Sequence, residues 1–251
     1  MRILTTLLFI LIASCSSKKD ILLIQDSNPA ANYNTKFEEI KIQPDDILKI
    51  KISSKAVDIA SLYNSQKSLV QGQSIFGYQV EGYLVDSNGF VNIPTLDPVL
   101  VSGLTINQAS SKIKSILKEE DLLKNATVDI KILNAYFTVI GEVNVPGRYS
   151  FLENNMNILQ AIGIAGDLTI NGKRDDIKVI SKRNGKMIVN SIDLTSSLLL
   201  ESKSFQVFPG DIIIVNANTA RVKNAGIVGN FGNLLSVMSF ILTSIILITQ
   251  N

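Results

Sequence analysis

The 251 residues read as an α+β protein: two small mixed units in tandem, ending in one long apolar helix. Three observations carry this. Stretches of alternating apolar and polar residues recur between Ile40 and Ala220, each bounded by turn residues. Two short segments with helical spacing of apolar positions interrupt them. Finally, no charged residue occurs between Asn224 and Asn251. Composition agrees with a folded chain, since 46% of residues are hydrophobic and only 18% charged.

The elements follow in order. Asp46 to Ser53 (DILKIKIS) alternates as a half-buried strand. Tyr78 to Val85 and Phe90 to Ile93 are strands separated by the turn Asp86-Ser87-Asn88-Gly89. Thr105-Ile106-Asn107-Gln108 is a capping box, opening a helix whose Ile106, Ala109, Ile113, Ile116 and Leu117 share one face. Thr127 to Leu133 closes the first unit, residues 40–134, as another alternating strand. The second unit, 135–220, starts with strands over Phe137 to Glu142 and Gly147 to Phe151, broken at Val145-Pro146-Gly147. Asn157 to Ala165 is a short helix that Gly166 ends in the left-handed conformation. Asp176 to Ser181 and Met187 to Ile192 flank Arg183-Asn184-Gly185-Lys186, a hairpin signal. Pro209-Gly210-Asp211 turns the chain into Ile212 to Val215, expected as a buried strand. A similar Pro-x-Asp turn at Pro44-Asp45-Asp46 is a shared turn device, not a repeat. The second unit thus predicts a sheet grasping one helix.

The ends point to membranes. Arg2, the apolar run Ile3 to Ile12 and the small residues before Cys15 form an export signal over 1–14. Cys15 is the only cysteine and stands where acylation needs it, so a covalent lipid is expected there. Residues 15–39, polar and with one Pro, read as the lipid-anchored linker. At the C-terminus, within 221–251, Ile227 to Thr249 is 23 residues long. As a helix it reaches about 35 Å, enough for a hydrocarbon core of roughly 30 Å. Arg221 and Lys223 precede it, at the expected membrane interface. Gly229, Gly232, Ser236, Ser239 and Thr243 fall on one side of that helix. Such a stripe suits close helix packing or a wetted pore wall; it also fits ordinary Ser/Thr tolerance in a lone anchor.

The same composition removes most chemistry. With no His there is no Ser-His-Asp triad, no Cys-His pair and no His-bearing metal site. One Cys permits no internal disulfide. The 24 basic and 22 acidic residues are too balanced to indicate nucleic acid. The acidic runs Asp45-Asp46, Glu119-Glu120-Asp121 and Asp175-Asp176 sit at turns and helix ends, where carboxylates are favoured locally, rather than as a glycosidase pair. Lys173-Arg174, Lys182-Arg183 and Lys186 read as a solvated hairpin, or as a contact for an acidic glycan or partner. No catalytic residue, metal site or cofactor is expected apart from the lipid on Cys15.

PDDILKIKI (44–52), DSNGFVNIP (86–94) and GLTINQASSKIKSIL (103–117) resemble the polysaccharide-export domain of the Wza-like outer-membrane lipoproteins. VIGEVNVPGRY (139–149), LQAIGIAG (159–166) and VFPGDIIIV (207–215) are similar to the family's SLBB β-grasp domain. That resemblance implies a homo-oligomeric ring whose C-terminal helices cross the outer membrane together. Capsular or exopolysaccharide would pass through it, delivered by an inner-membrane co-polymerase. Well-known members carry two β-grasp domains, so a chain with room for one implies a shorter ring. The alternative is a membrane-tethered glycan-binding or scaffold lipoprotein without a pore of its own.

Overall fold

The computed structural model describes residues 21–64, 82–123, 125–183, 185–219 and 231–249. Two sheets organise the body of the chain. The first holds β1 (Ile47–Ser53), β2 (Tyr83–Leu84) and β5 (Thr127–Ile132) in the order β2-β1-β5, all antiparallel. A two-stranded ribbon, β3 (Phe90–Val91) with β4 (Val99–Leu100), lies beside it. Alternation in β1 works as expected: Leu48, Ile50 and Ile52 point inward while Lys49, Lys51 and Ser53 are exposed. Between β1 and β2 the described residues add a one-turn helix, α1 (Val57–Ser61), which has no apolar periodicity to announce it.

Helix α2 (Ile106–Glu119) packs on β5. Its capping box forms as the sequence requires. Thr105 Oγ1 accepts from Gln108 N at 3.2 Å, and Thr105 N donates to Gln108 Oε1 at 3.0 Å. Ala109, Ile113 and Leu117 are fully buried, and Ile106 and Ile116 are partly buried at the border of the same face.

The second sheet has five strands in the order β7-β6-β10-β8-β9. They are β6 (Tyr136–Gly141), β7 (Gly147–Ser150), β8 (Gly172–Arg183), β9 (Lys186–Ile192) and β10 (Ile212–Ala217). The last strand returns to the centre, parallel to β6 and antiparallel to β8. One face holds α3 (Ile158–Ile164), packed on β6, which is the grasp that the sequence suggested. A second capping box, unnoticed in the sequence, starts α3: Asn157 Oδ1 accepts from Gln160 N at 2.9 Å, and Gln160 Oε1 accepts from Asn157 N at 3.0 Å. Gly166 ends it at φ +77°. Strand β8 starts four residues earlier than the alternation predicted: Gly172 pairs with Ala217 of β10 beyond an irregularity in the register, and Arg174 O accepts from Leu194 N at 2.8 Å. Two 3-10 turns, Ser197–Glu201 and Lys203–Phe205, fill the long connection from β9 to β10. The buried apolar residues of both units form one contiguous cluster, from Ile40 through Leu117 and Phe137 to Val215.

Two expectations change. Residues 21–39, read as a free tether, lie along the 193–206 connection of the second unit. Ile24 N and Gln25 N donate to Leu194 O and Thr195 O, at 2.9 and 2.7 Å. Strand Ile212 to Val215, read as buried throughout, buries only alternate residues: Ile213 and Val215 face α3, whereas Ile212 and Ile214 lie on the other face, half-buried. The last described element is α4 (Phe231–Thr249).

Candidate functional site

Of the residues singled out in the sequence, Cys15, Arg221, Lys223 and Gly229 lie outside the described residues. The remaining stripe lies on α4, where Gly232, Ser236, Ser239 and Thr243 are all exposed. Two of its hydroxyls are already satisfied within the helix. Ser236 Oγ donates to Gly232 O at 2.9 Å, and Thr243 Oγ1 donates to Ser239 O at 2.8 Å. Neighbouring Ser244 does the same to Phe240 O at 2.8 Å. Back-bonding of this kind lets Ser and Thr sit in apolar surroundings without an orphaned O–H.

The described helix covers 19 of the 23 residues expected to span, 227–230 lying outside the described residues. Among the described residues, no helix is long and apolar enough to cross a membrane. The helix is nonetheless uncharged along its whole length, and Met238, Phe240, Leu247 and Ile248 are exposed.

The basic cluster separates into two kinds of residue. Arg174 is buried and donates to Gly172 O and Thr169 O, at 2.9 and 3.3 Å. Arg183 Nη2 reaches Asp211 Oδ1 at 3.3 Å, and its guanidinium lies 4.0 Å from the Phe208 ring centre. Lys173 is drawn to Asp176 at 3.5 Å. These three are structural. Lys182 and Lys186 stay exposed at the β8–β9 turn.

Two carboxylates are pushed upward, and neither has catalytic company. Burial raises Asp46 to about 6 despite a 2.8 Å hydrogen bond from Gln43 N to its Oδ2, and neighbouring Asp45 adds to the rise. Burial likewise raises Asp211, 1% exposed, against hydrogen bonds from Ser181, Phe208 N and Arg183. In both cases the carboxylate accepts from the backbone N–H three residues earlier, which is the Asp turn that the two Pro-x-Asp segments anticipated. Asp45-Asp46 is therefore turn hardware, and Glu119-Glu120-Asp121 ends α2; Asp175-Asp176, expected at a turn, lies instead inside β8, where Asp176 Oδ1 accepts from Ser191 Oγ of β9 at 2.6 Å. No group of three or more metal-ligating side chains occurs among the described residues.

The structure adds a feature that sequence reading missed. Two adjoining clefts, of about 300 and 360 Å³, open along the seam of the two units and share Ile40, Ile106, Asn107 and Asn154. Asp129, Lys131 and Glu153 line one, and Glu38 and Glu39 the other. No spacing within one segment could have signalled a cleft assembled from five.

Comparison with known proteins completes the description. Residues 34–133 match the polysaccharide biosynthesis/export protein family, and residues 136–191 match the SLBB domain. The chain is also 27% identical over 140 residues to the EPS I polysaccharide export outer membrane protein EpsA of Ralstonia solanacearum. That alignment covers 54% of this chain and 36% of the relative, so the chain spans about a third of the curated protein it matches.

Proposed function

Because this chain belongs to the Wza-like polysaccharide export proteins, we propose that it works at the outer membrane as an oligomeric conduit for exopolysaccharide. Proteins of this family transport rather than catalyse, and the chain is not an enzyme. The reading is carried by one arrangement: an export unit, then an SLBB unit, then an uncharged helix with a stripe of small and hydroxyl residues.

In this proposal a lipid on Cys15 holds the chain to the periplasmic leaflet, and the C-terminal segment crosses the membrane with its counterparts from other copies. At 1.5 Å per residue the 19 residues of α4 rise about 28 Å, against a hydrocarbon core of roughly 30 Å that is thinner in bacterial outer membranes. Arg221 and Lys223 would meet the headgroups ahead of it. Gly232, Ser236, Ser239 and Thr243 would form the helix–helix contact or the wetted wall, where small side chains allow close approach. An inner-membrane co-polymerase would feed the ring.

The second reading is a tethered glycan-binding or scaffold lipoprotein whose helix only anchors. Its support is the internal satisfaction of Ser236 and Thr243, which leaves those hydroxyls no need of a neighbour. The deciding measurement is native mass spectrometry of the full-length lipidated protein in mild detergent, with negative-stain images. A closed ring of many copies supports the conduit. A monomer in several detergents and in native lipid discs favours the scaffold.

A further inference from the structure

Strand register places an apolar layer on the face of the five-stranded sheet opposite α3. Thr138, Ile212, Ile180 and Val189 stand in one row across β6, β10, β8 and β9. The adjacent row runs Ile140, Ile214, Lys178, Ser191, and Lys182 faces Met187 at its margin. A sheet with one solvated face should carry polar residues at these positions. Here Ile140, Met187 and Val189 are 42%, 62% and 60% exposed, and the cations Lys178 and Lys182 rim them. The face reads as one that is covered in the working molecule.

The chain itself carries a surface of mostly opposite charge, where Glu38, Glu39, Asp129 and Glu153 stand against one cation, Lys131. At the seam clefts Leu152 is 72% exposed beside Glu153, with Glu38 and Glu39 nearby. We propose that the Ile180–Val189 face of one copy docks on the Leu152–Glu153 seam of a second copy, Lys178 and Lys182 meeting Glu38, Glu39 and Glu153. The patches are different parts of one molecule, so the contact is heterologous and repeats from copy to copy, closing into a ring if the rotation permits. Lys178 and Lys182 outnumber Asp176 beside them on this face, so a symmetric face-to-face pair gains no charge complementarity. The inference rests on the reading of the protein as an oligomer and names the surfaces that build it.

The test uses the full-length lipidated protein in mild detergent, read by native mass spectrometry. Met187→Asp with Val189→Asp should lower the oligomer fraction about tenfold or more while the melting temperature stays near wild type, because both side chains are more than half exposed. Lys178→Glu with Lys182→Glu should do the same, and adding Glu38→Lys with Glu153→Lys to that variant should restore assembly. A photo-cross-linking residue at position 189 should capture the peptide holding Leu152 from another copy. Wild-type rings that survive all these changes, or cross-links to residues 220–251 of the same chain or to lipid, overturn the docking surface and leave the conduit standing. A wild type that never assembles, in detergent or lipid disc, overturns both.

Discussion

Glu38 and Gln206 are joined back to back across 168 residues of sequence: Glu38 N donates to Gln206 Oε1 at 2.7 Å, and Gln206 Nε2 returns a bond to Glu38 O at 2.9 Å. A side-chain amide that satisfies the N–H and the carbonyl of one residue acts as a local β-bridge. It closes a strap that begins at Ile24 and Gln25, passes Asp26 on Ser196 and Ser197, and takes in Thr35 Oγ1 on Leu200 O at 2.9 Å. Phe37 adds a ring contact with Phe205 at 6.3 Å. The N-terminal segment thus belongs physically to the SLBB unit, although it leads into the export unit.

Gln206 is buried, so its replacement should show. Gln206→Leu leaves Glu38 N and Glu38 O without partners and should destabilise the fold by about 1–3 kcal/mol. Limited proteolysis should then cut within 21–39 faster than in wild type, ahead of any cut in the sheets. Equal cleavage rates would show that the aromatic contact and the Leu194–Thr195 bonds hold the strap unaided.

Asp46 makes stability depend on pH. Its folded value of about 6 lies above the ordinary carboxylate value of 3.8, so the folded state holds the proton more tightly than the unfolded chain. Its stabilising contribution is complete below about pH 4 and lost as pH rises through 6. Asp211, raised by the same cause, acts in the same direction. Asp46→Asn keeps an acceptor for Gln43 N and removes the charge. Thermal melts between pH 4 and 7 should fall less steeply for the variant, by at most about 3 kcal/mol in stability. A variant that melts well below wild type at pH 7 would show that the carboxylate is needed ionised.

What the sequence disclosed, and what it hid, divides by range. Thr105 and Gln108 announced α2 because a capping box acts over three residues, and Asp46 and Asp211 announced their turns for the same reason. The strap was illegible: Glu38 and Gln206 carry no local signal, and polar composition alone suggests a tether. Ile212 to Val215 misled for a different reason. An apolar run says that both faces are apolar, and cannot say whether the second cover comes from the same chain. The stripe of small and hydroxyl residues on α4 was readable as a pattern, but the back-bonding of Ser236 and Thr243 was not.

Gly141 should tolerate no side chain. It ends β6 at φ +97°, and a Cβ there would fall on the Val215 carbonyl oxygen of β10. That carbonyl accepts from Glu142 N at 2.9 Å, so moving it breaks the central parallel pairing of the sheet. Gly141→Ala combines left-handed strain with overpacking and should cost about 3 kcal/mol or more. Gly147→Ala is the control, because its nearest neighbours lie 3.7 Å from the added carbon and its φ is ordinary. Urea denaturation of the two variants should separate them clearly; similar midpoints would show that the β6–β10 junction can shift at little cost.

The stripe on α4 offers a test that separates helix formation from helix association. Ser236 Oγ bonds Gly232 O, so the single helix loses only that local bond when Ser236 is changed, and helix content should hold or rise. Association depends on size instead. Leucines at Ser236 and Ser239 fill the side on which Gly232 and Thr243 also lie, holding partner backbones apart. Ser236→Ala with Ser239→Ala should therefore preserve assembly and polysaccharide export, whereas Ser236→Leu with Ser239→Leu should abolish both while leaving membrane attachment intact. Loss of export with intact rings in the leucine variant would place the stripe on the lumen wall. Normal assembly and export in both would leave the stripe without a role, and α4 as an anchor only.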